Sequence, residues 1–179
     1  MARIGKTLVL LGALTALLAF AVPAAFARRA ADSQTAMAAL DTGVLAQLNA
    51  IRTAHGLVPL TLDPQLTAAA TAHTSEMLND GYFAHDSHDG APFWSRLTAY
   101  TRAAPHGGWS VGENLLWSAP DVDAPTALKL WMASPEHRAN ILTAKWRQIG
   151  VAAIHADTAP GTFGGQPVTV ITTDFGVRS

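Results

Sequence analysis

The chain has no cysteine among its 179 residues. That absence removes disulfide scaffolds, cysteine-based zinc sites and thiol catalysis together. It also removes lipidation on cysteine after the N-terminal apolar run. Charge is sparse as well: Asp, Glu, Lys and Arg make up 14%, and 12 basic against 13 acidic side chains leave a net charge of −1. Such a balance offers no electrostatic footing for a nucleic acid, and none is expected as a partner. Beyond residue 27 the only glutamates are Glu76, Glu113 and Glu136.

The N-terminus reads as an address. Arg3 and Lys6 precede an apolar run over residues 8–22, Pro23 follows it, and Ala25-Phe26-Ala27 fits an A-x-A cleavage site. This predicts a signal peptide over residues 1–27, cut after Ala27, and a secreted or periplasmic protein. The run is shorter than the ~20 residues a membrane span needs, so no stable anchor is expected after cleavage. Residues 28–39 read as a flexible N-terminal segment. Residues 40–179 read as one domain, long enough to bury a real core.

Within that domain, Leu40, Val44, Leu45, Leu48 and Ile51 recur at helical spacing, and Gly56 ends the helix. Residues 57–60 form an extended link. Asp63-Pro64 is an N-cap followed by proline at the first helical position, and the helix it starts runs to Gly81. A polar loop over residues 82–90 carries His85 and His88. A short helix is expected over residues 92–100 and a loop over 105–112. Asp123 starts another helix; Ser134 caps a short one running to about residue 142. Residues 148–155 and 168–175 read as an antiparallel pair of strands. Helices first and strands last predict an α+β fold.

Several residues suggest chemistry. Gly108-Trp109-Ser110-Val111-Gly112 fits G-x-S-x-G, but the strand and helix that a nucleophile elbow needs around its serine are not expected there. His73 lies on an apolar helix stripe and reads as a buried structural histidine. His85 and His137 sit in polar surroundings where a metal ligand or proton acceptor would serve. Glu113 precedes the apolar Asn114-Leu115-Leu116-Trp117, so its carboxylate needs a partner: a histidine, an arginine or a metal. The same holds for Asp174, whereas Glu76 reads as solvated.

At this point the sequence resembles a known family. Gly112-Glu113-Asn114-Leu115 is similar to the G-E-N-[IL] signature of the CAP (SCP) superfamily. Residues 131–142, with Trp131, Ser134, His137-Arg138 and Asn140-Ile141-Leu142, resemble its bacterial W-x-x-S-x-x-H-R-x-N-I-L block. Asn49-x-x-Arg52, Ala72-His73-x-x-Glu76-Met77, Phe83-x-His85, Ile149-Gly150-Val151 and Thr173-Asp174-Phe175-Gly176 fall in the family's order. The resemblance implies a three-layer α-β-α sandwich around a small, mostly antiparallel sheet. It also implies a cavity lined here by His85, Glu113, Ser134 and His137. Ser134 stands where animal and plant members carry a second glutamate, and their second-histidine segment is missing.

One functional reading follows from the resemblance, and two from the residues themselves. One is an exported binding module for a small-molecule, lipid, peptide or cell-envelope ligand. It holds a divalent metal, zinc for preference, on His85, Glu113 and His137, or it holds none. The second is a hydrolase with Glu113 or His137 as the catalytic base, with or without that metal. In the third, Glu113 and the histidines only tie loops together.

Overall fold

A computed structural model describes residues 24–104 and 107–178, with side chains from residue 27. Helix α1 (Ala24–Ala54), strand β1 (Thr61–Leu62) and helix α2 (Pro64–Asp80) come first; a 3-10 turn (Phe93–Leu97) runs into α3 (Thr98–Arg102). Strand β2 (Trp109–Ser118), helices α4 (Ala124–Ala133) and α5 (Pro135–Ile141), and strands β3 (Gln148–Ala156) and β4 (Val168–Arg178) follow.

The four strands form one sheet in the order β1-β3-β4-β2. β1 pairs parallel with β3, while β3–β4 and β4–β2 are antiparallel. β4 is central and buried on both faces, which suits its β-branched run Val168-Thr169-Val170-Ile171-Thr172-Thr173. Its side chains alternate between two cores. Ile171 and Phe175 join Val44, Leu48, Trp131 and Ile141 from the α1, α4 and α5 layer. Val168 and Val170 join Met77 and Phe163 on the α2 side. Helices thus cover both faces of the sheet, giving the α-β-α sandwich.

Asp63 caps α2, its Oδ1 accepting from the backbone N–H of Gln65 at 2.9 Å and of Leu66 at 3.1 Å. Its other oxygen receives Arg178 Nη2 at 2.8 Å, which ties the end of β4 to the start of α2. α2 lies so close on β3 that a Cβ on Gly150 would come within 2.1 Å of the Leu66 carbonyl carbon.

Several sequence expectations need correction. Residues 28–39 are not an irregular segment. They continue α1 as helix, exposed over most of its length, with Met37 packed on the core. Their composition, rich in alanine and arginine, favours helix. Residues 109–112, expected in a loop, begin β2, whose pairing with β4 runs from Trp109 opposite Arg178. Three glycines masked a strand that its partner stabilises. Ser110 lies inside that strand, so the strand–turn–helix of a nucleophile elbow does not occur there. The helix expected over 92–100 is a 3-10 turn followed by a single α-helical turn. The signal-peptide reading falls almost wholly outside the described residues.

Candidate functional site

β2 is an edge strand, and edge strands leave carbonyls and N–H groups unpaired. Two side chains from the helical layer close this edge. Trp131 Nε1 donates to the Leu115 carbonyl at 2.9 Å, and Asn140 Nδ2 donates to the Glu113 carbonyl at 3.0 Å. Asn140 Nδ2 also reaches Asn114 Oδ1 at 3.0 Å, while Asn114 Nδ2 donates to the His137 carbonyl at 3.1 Å. Gly112 is required by this approach: a Cβ there would sit 2.7 Å from Asn140 Oδ1. α5 is held in turn by Arg52 of α1. This guanidinium is fully buried and donates to the Ile141, Thr143 and Val58 carbonyls at 2.7, 3.1 and 3.0 Å. Arg52 thereby fixes the helix that presents His137.

From the other side of the sheet, α2 holds the loop that carries His85. His73 is buried as expected; its Nε2 lies 2.9 Å from the Ala84 carbonyl and its Nδ1 3.3 Å from Glu76 Oε2. Glu76, expected to be solvated, also accepts from the His88 backbone N–H at 3.1 Å. Burial lowers the pKa of His73, which suits a neutral ring bonded to a carbonyl.

Between these layers lies Glu113, its side chain only 1% exposed. Its Oε1 meets His85 Nδ1 at 2.7 Å, and its Oε2 accepts from Arg96 Nη2 at 2.6 Å. Of the three partners open to it, the carboxylate has taken two, a histidine and an arginine. Arg96 also donates to the His85 carbonyl at 2.8 Å, so it fixes both members of the pair. Sequence reasoning did not name Arg96; its only signal was the need of Glu113 for a cation. The hydrogen bond to Glu113 raises the pKa of His85. Asp174 faces Glu113 across the β2–β4 ladder, fully buried, with no hydrogen-bond partner on either oxygen among the described residues. Burial, with the neighbouring Glu113 charge second, raises its pKa well above the ordinary value. The partner expected for Asp174 is therefore a proton.

The structure brings His85, Glu113 and His137 to one cleft of about 390 Å³, together with Asn114, Glu136, Asn140 and Thr143. Ser134, expected in the lining, is not among the residues that line it. Its hydroxyl does not cap α5 as expected but lies 2.8 Å from His137 Nδ1. Burial, then the charge on His85, lowers the pKa of His137. The two rings therefore differ: His85 favours the protonated form and His137 the neutral one. Among the described residues, neither imidazole Nε2 has a protein partner. His106 lies outside those residues.

A divalent metal on His85, Glu113 and His137 would need their lone pairs free and convergent. Both Glu113 oxygens are engaged, one by a guanidinium that would stand as a fixed like charge beside the ion. His137 Nδ1 is paired with Ser134. Among the described residues no group of three or more His, Asp or Glu is placed to hold a metal. With Glu113 spent on His85 and Arg96, the three residues as arranged do not form the expected three-ligand zinc site.

Comparison with known proteins agrees with the architecture. The family model described as CAP, the cysteine-rich secretory protein family, matches residues 45–169. The Bacillus subtilis (strain 168) protein YkwD is 29% identical over 126 residues, covering 70% of this chain and 46% of that protein. The membrane protein YlbC of the same organism is 30% identical over 109 residues, covering 60% of this chain and 30% of its own length. The chain thus spans less than half of either relative. Among solved structures, an extracellular SCP-domain protein from Bacillus anthracis str. Ames is 27% identical with a TM-score of 0.57, covering 80% of this chain and 43% of that one. An outer surface protein from Borrelia burgdorferi shares the fold, with 16% identity, a TM-score of 0.59 and coverage of 75% and 90%. The match to the family model extends over most of the domain that carries the His85–Glu113 pair, the edge-closing Trp131 and Asn140, and the sandwich around them: the chain belongs to the CAP family and is of its bacterial type.

Proposed function

We propose that this protein is an exported binding module, and that its ligand places a polar group between His85 and His137 in the cleft beside β2. The supporting observation is how the hydrogen bonds are spent. Both Glu113 oxygens and the Asn114 and Asn140 amides are already engaged by the protein itself, whereas the two imidazole Nε2 atoms have no partner among the described residues. The cleft walls are polar. A peptide or cell-envelope fragment with carbonyl or hydroxyl oxygens suits them better than a lipid chain. Export is supported by Arg3, Lys6, the apolar run and the A-x-A site, and by likeness to a protein described as extracellular. No helix among the described residues is long and apolar enough to cross a membrane.

The test is a ligand screen by thermal shift and by the imidazole NMR signals, using peptides, envelope fragments and lipid micelles. A binder should move both ring signals and lose about tenfold or more in affinity in His85→Ala and His137→Ala. A ligand that binds equally well to both variants would refute this assignment of the cleft.

A second reading, an acid–base hydrolase, is favoured by the opposite pKa shifts of the two histidines. It predicts a bell-shaped pH–rate profile against ester or peptide substrates, lost in His137→Ala. Ser110 has no part in it, so fluorophosphonate labelling of that serine is not expected.

A further inference from the structure

We propose that Arg96 takes the place a divalent cation would occupy beside Glu113, and that it keeps this cleft closed to metals. Three observations carry the inference. First, the guanidinium holds Glu113 Oε2 at 2.6 Å while the other carboxylate oxygen is held by His85 at 2.7 Å, so an ion would meet the imidazole Nε2 atoms without Glu113 and beside a fixed guanidinium charge. Second, Arg96 is not a mobile surface side chain that could swing aside. Its side chain is 11% exposed, and its Nη1 donates to the His85 carbonyl at 2.8 Å and to Ser87 Oγ at 3.3 Å. Moving it would break the loop that presents His85. Third, the other acids do not complete a site. Asp174 is fully buried and does not line the cleft, and Glu136, which does, is not grouped with the histidines into a set of three metal donors among the described residues.

Arg96 does for Glu113 what a bound ion does elsewhere. It neutralises a carboxylate that burial would otherwise penalise, and it orients the histidine next to it. It differs in being tethered and in being charged at every accessible pH. The consequence for recognition is direct: a ligand meets the imidazoles of His85 and His137 themselves, with no metal between them. That consequence rests on the binding-module reading, but closure of the cleft to metals does not.

The experiment is a zinc titration by calorimetry after chelator treatment, using zinc chloride alone as the probe. The proteins are the wild type, Arg96→Gln, Arg96→Met and the double variant Arg96→Gln/Glu113→Gln. Arg96→Gln removes the charge while keeping a polar side chain, Arg96→Met removes it with an apolar one, and a melting curve of each shows which variants are folded. The wild type is expected to show no stoichiometric zinc binding. The Arg96→Gln protein is expected to take one equivalent at least about tenfold more tightly than the wild type, and the double variant to lose that gain. In the wild type, the ring signals of His85 and His137 should not move with equimolar zinc, a readout that needs no variant to fold. The proposal is overturned if wild-type protein binds one zinc with movement of those signals. It is equally overturned if folded Arg96→Gln and Arg96→Met bind zinc no better than wild type. Neither result bears on whether an organic ligand enters the cleft, so the two readings fail separately.

Discussion

Asp174 offers a test whose sign can be worked out in full. Its carboxyl is buried between sheet and α2 layer, opposite Glu113 and within the field of Arg96, and has no hydrogen-bond partner among the described residues. Burial raises its folded pKa well above the ordinary value of 3.8. The unfolded chain releases this proton near that ordinary value, whereas the folded chain keeps it. Between the two pKa values the folded state binds more protons, so stability falls as pH rises. The slope is about 1.4 kcal/mol per pH unit, and it ends when pH passes the folded pKa. Asp174→Asn keeps the size of the side chain and removes the titration. Its stability minus that of wild type should therefore climb by about 1.4 kcal/mol for each pH unit above the unfolded value. For a domain of this size that is roughly 3–6 °C in melting temperature per unit. Other groups, such as His73 with its lowered pKa, titrate alike in both proteins and cancel. Urea denaturation of both proteins at about pH 4.5, 5.5 and 6.5 measures the difference. The break in slope reports the pH at which the folded protein releases the Asp174 proton. A flat difference would mean that Asp174 ionises freely. A difference of opposite sign, with wild type gaining as pH rises, would mean that it is charged and paired, and the reasoning would be wrong.

Other predictions probe the scaffold around the cleft. Arg52→Met strips three carbonyls of their buried donor and should cost about 2–4 kcal/mol in urea denaturation, with the His137 ring signal displaced because α5 loses its anchor. Trp131→Phe keeps most of the packing but leaves the Leu115 carbonyl without its donor; a loss of about 1–3 kcal/mol is expected, and no loss would show that the edge is not closed by this bond. Gly150→Ala drives a Cβ into the backbone of α2 and should cost about 3 kcal/mol or more, seen as a lowered melting temperature or insoluble protein. In Glu113→Gln the NMR titration midpoint of His85 should fall, because the hydrogen bond to Glu113 is what raises it; an unchanged midpoint would refute that cause.

The parts of the fold that could be read from the sequence are those whose signals are local. Asp63-Pro64 carries a cap and a fixed dihedral, and α2 starts there. The β-branched run at the end of the chain needs only its own composition to be a strand. β2 was half hidden because its stability is non-local. Gly112 looks like a loop residue after Gly107 and Gly108 until β4 lies beside it, and it is small because Asn140 presses on it. The need of Glu113 for a partner was legible, since an acid leading an apolar run has few alternatives. Arg96 as that partner was not, because the contact joins a 3-10 turn to an edge strand and leaves no spacing to detect.

The block around Trp131 and His137 shows how one pattern can combine two kinds of work. Trp131 and Asn140 sit on successive helices, yet both end on β2, at carbonyls two residues apart. Their task is to satisfy an edge that would otherwise invite another strand. Closing that edge sets α5 against β2, and His137 then stands at the mouth of a cleft opposite His85. A helix placed for pairing reasons thus produces the cleft as a geometric consequence. Removing Asn140 should therefore disturb His137 before it touches any ligand. The residues that pattern-matching draws together are mostly architectural. At the centre of the proposed recognition surface stand two imidazoles, one set by Ser134 and the other by Glu113 with Arg96.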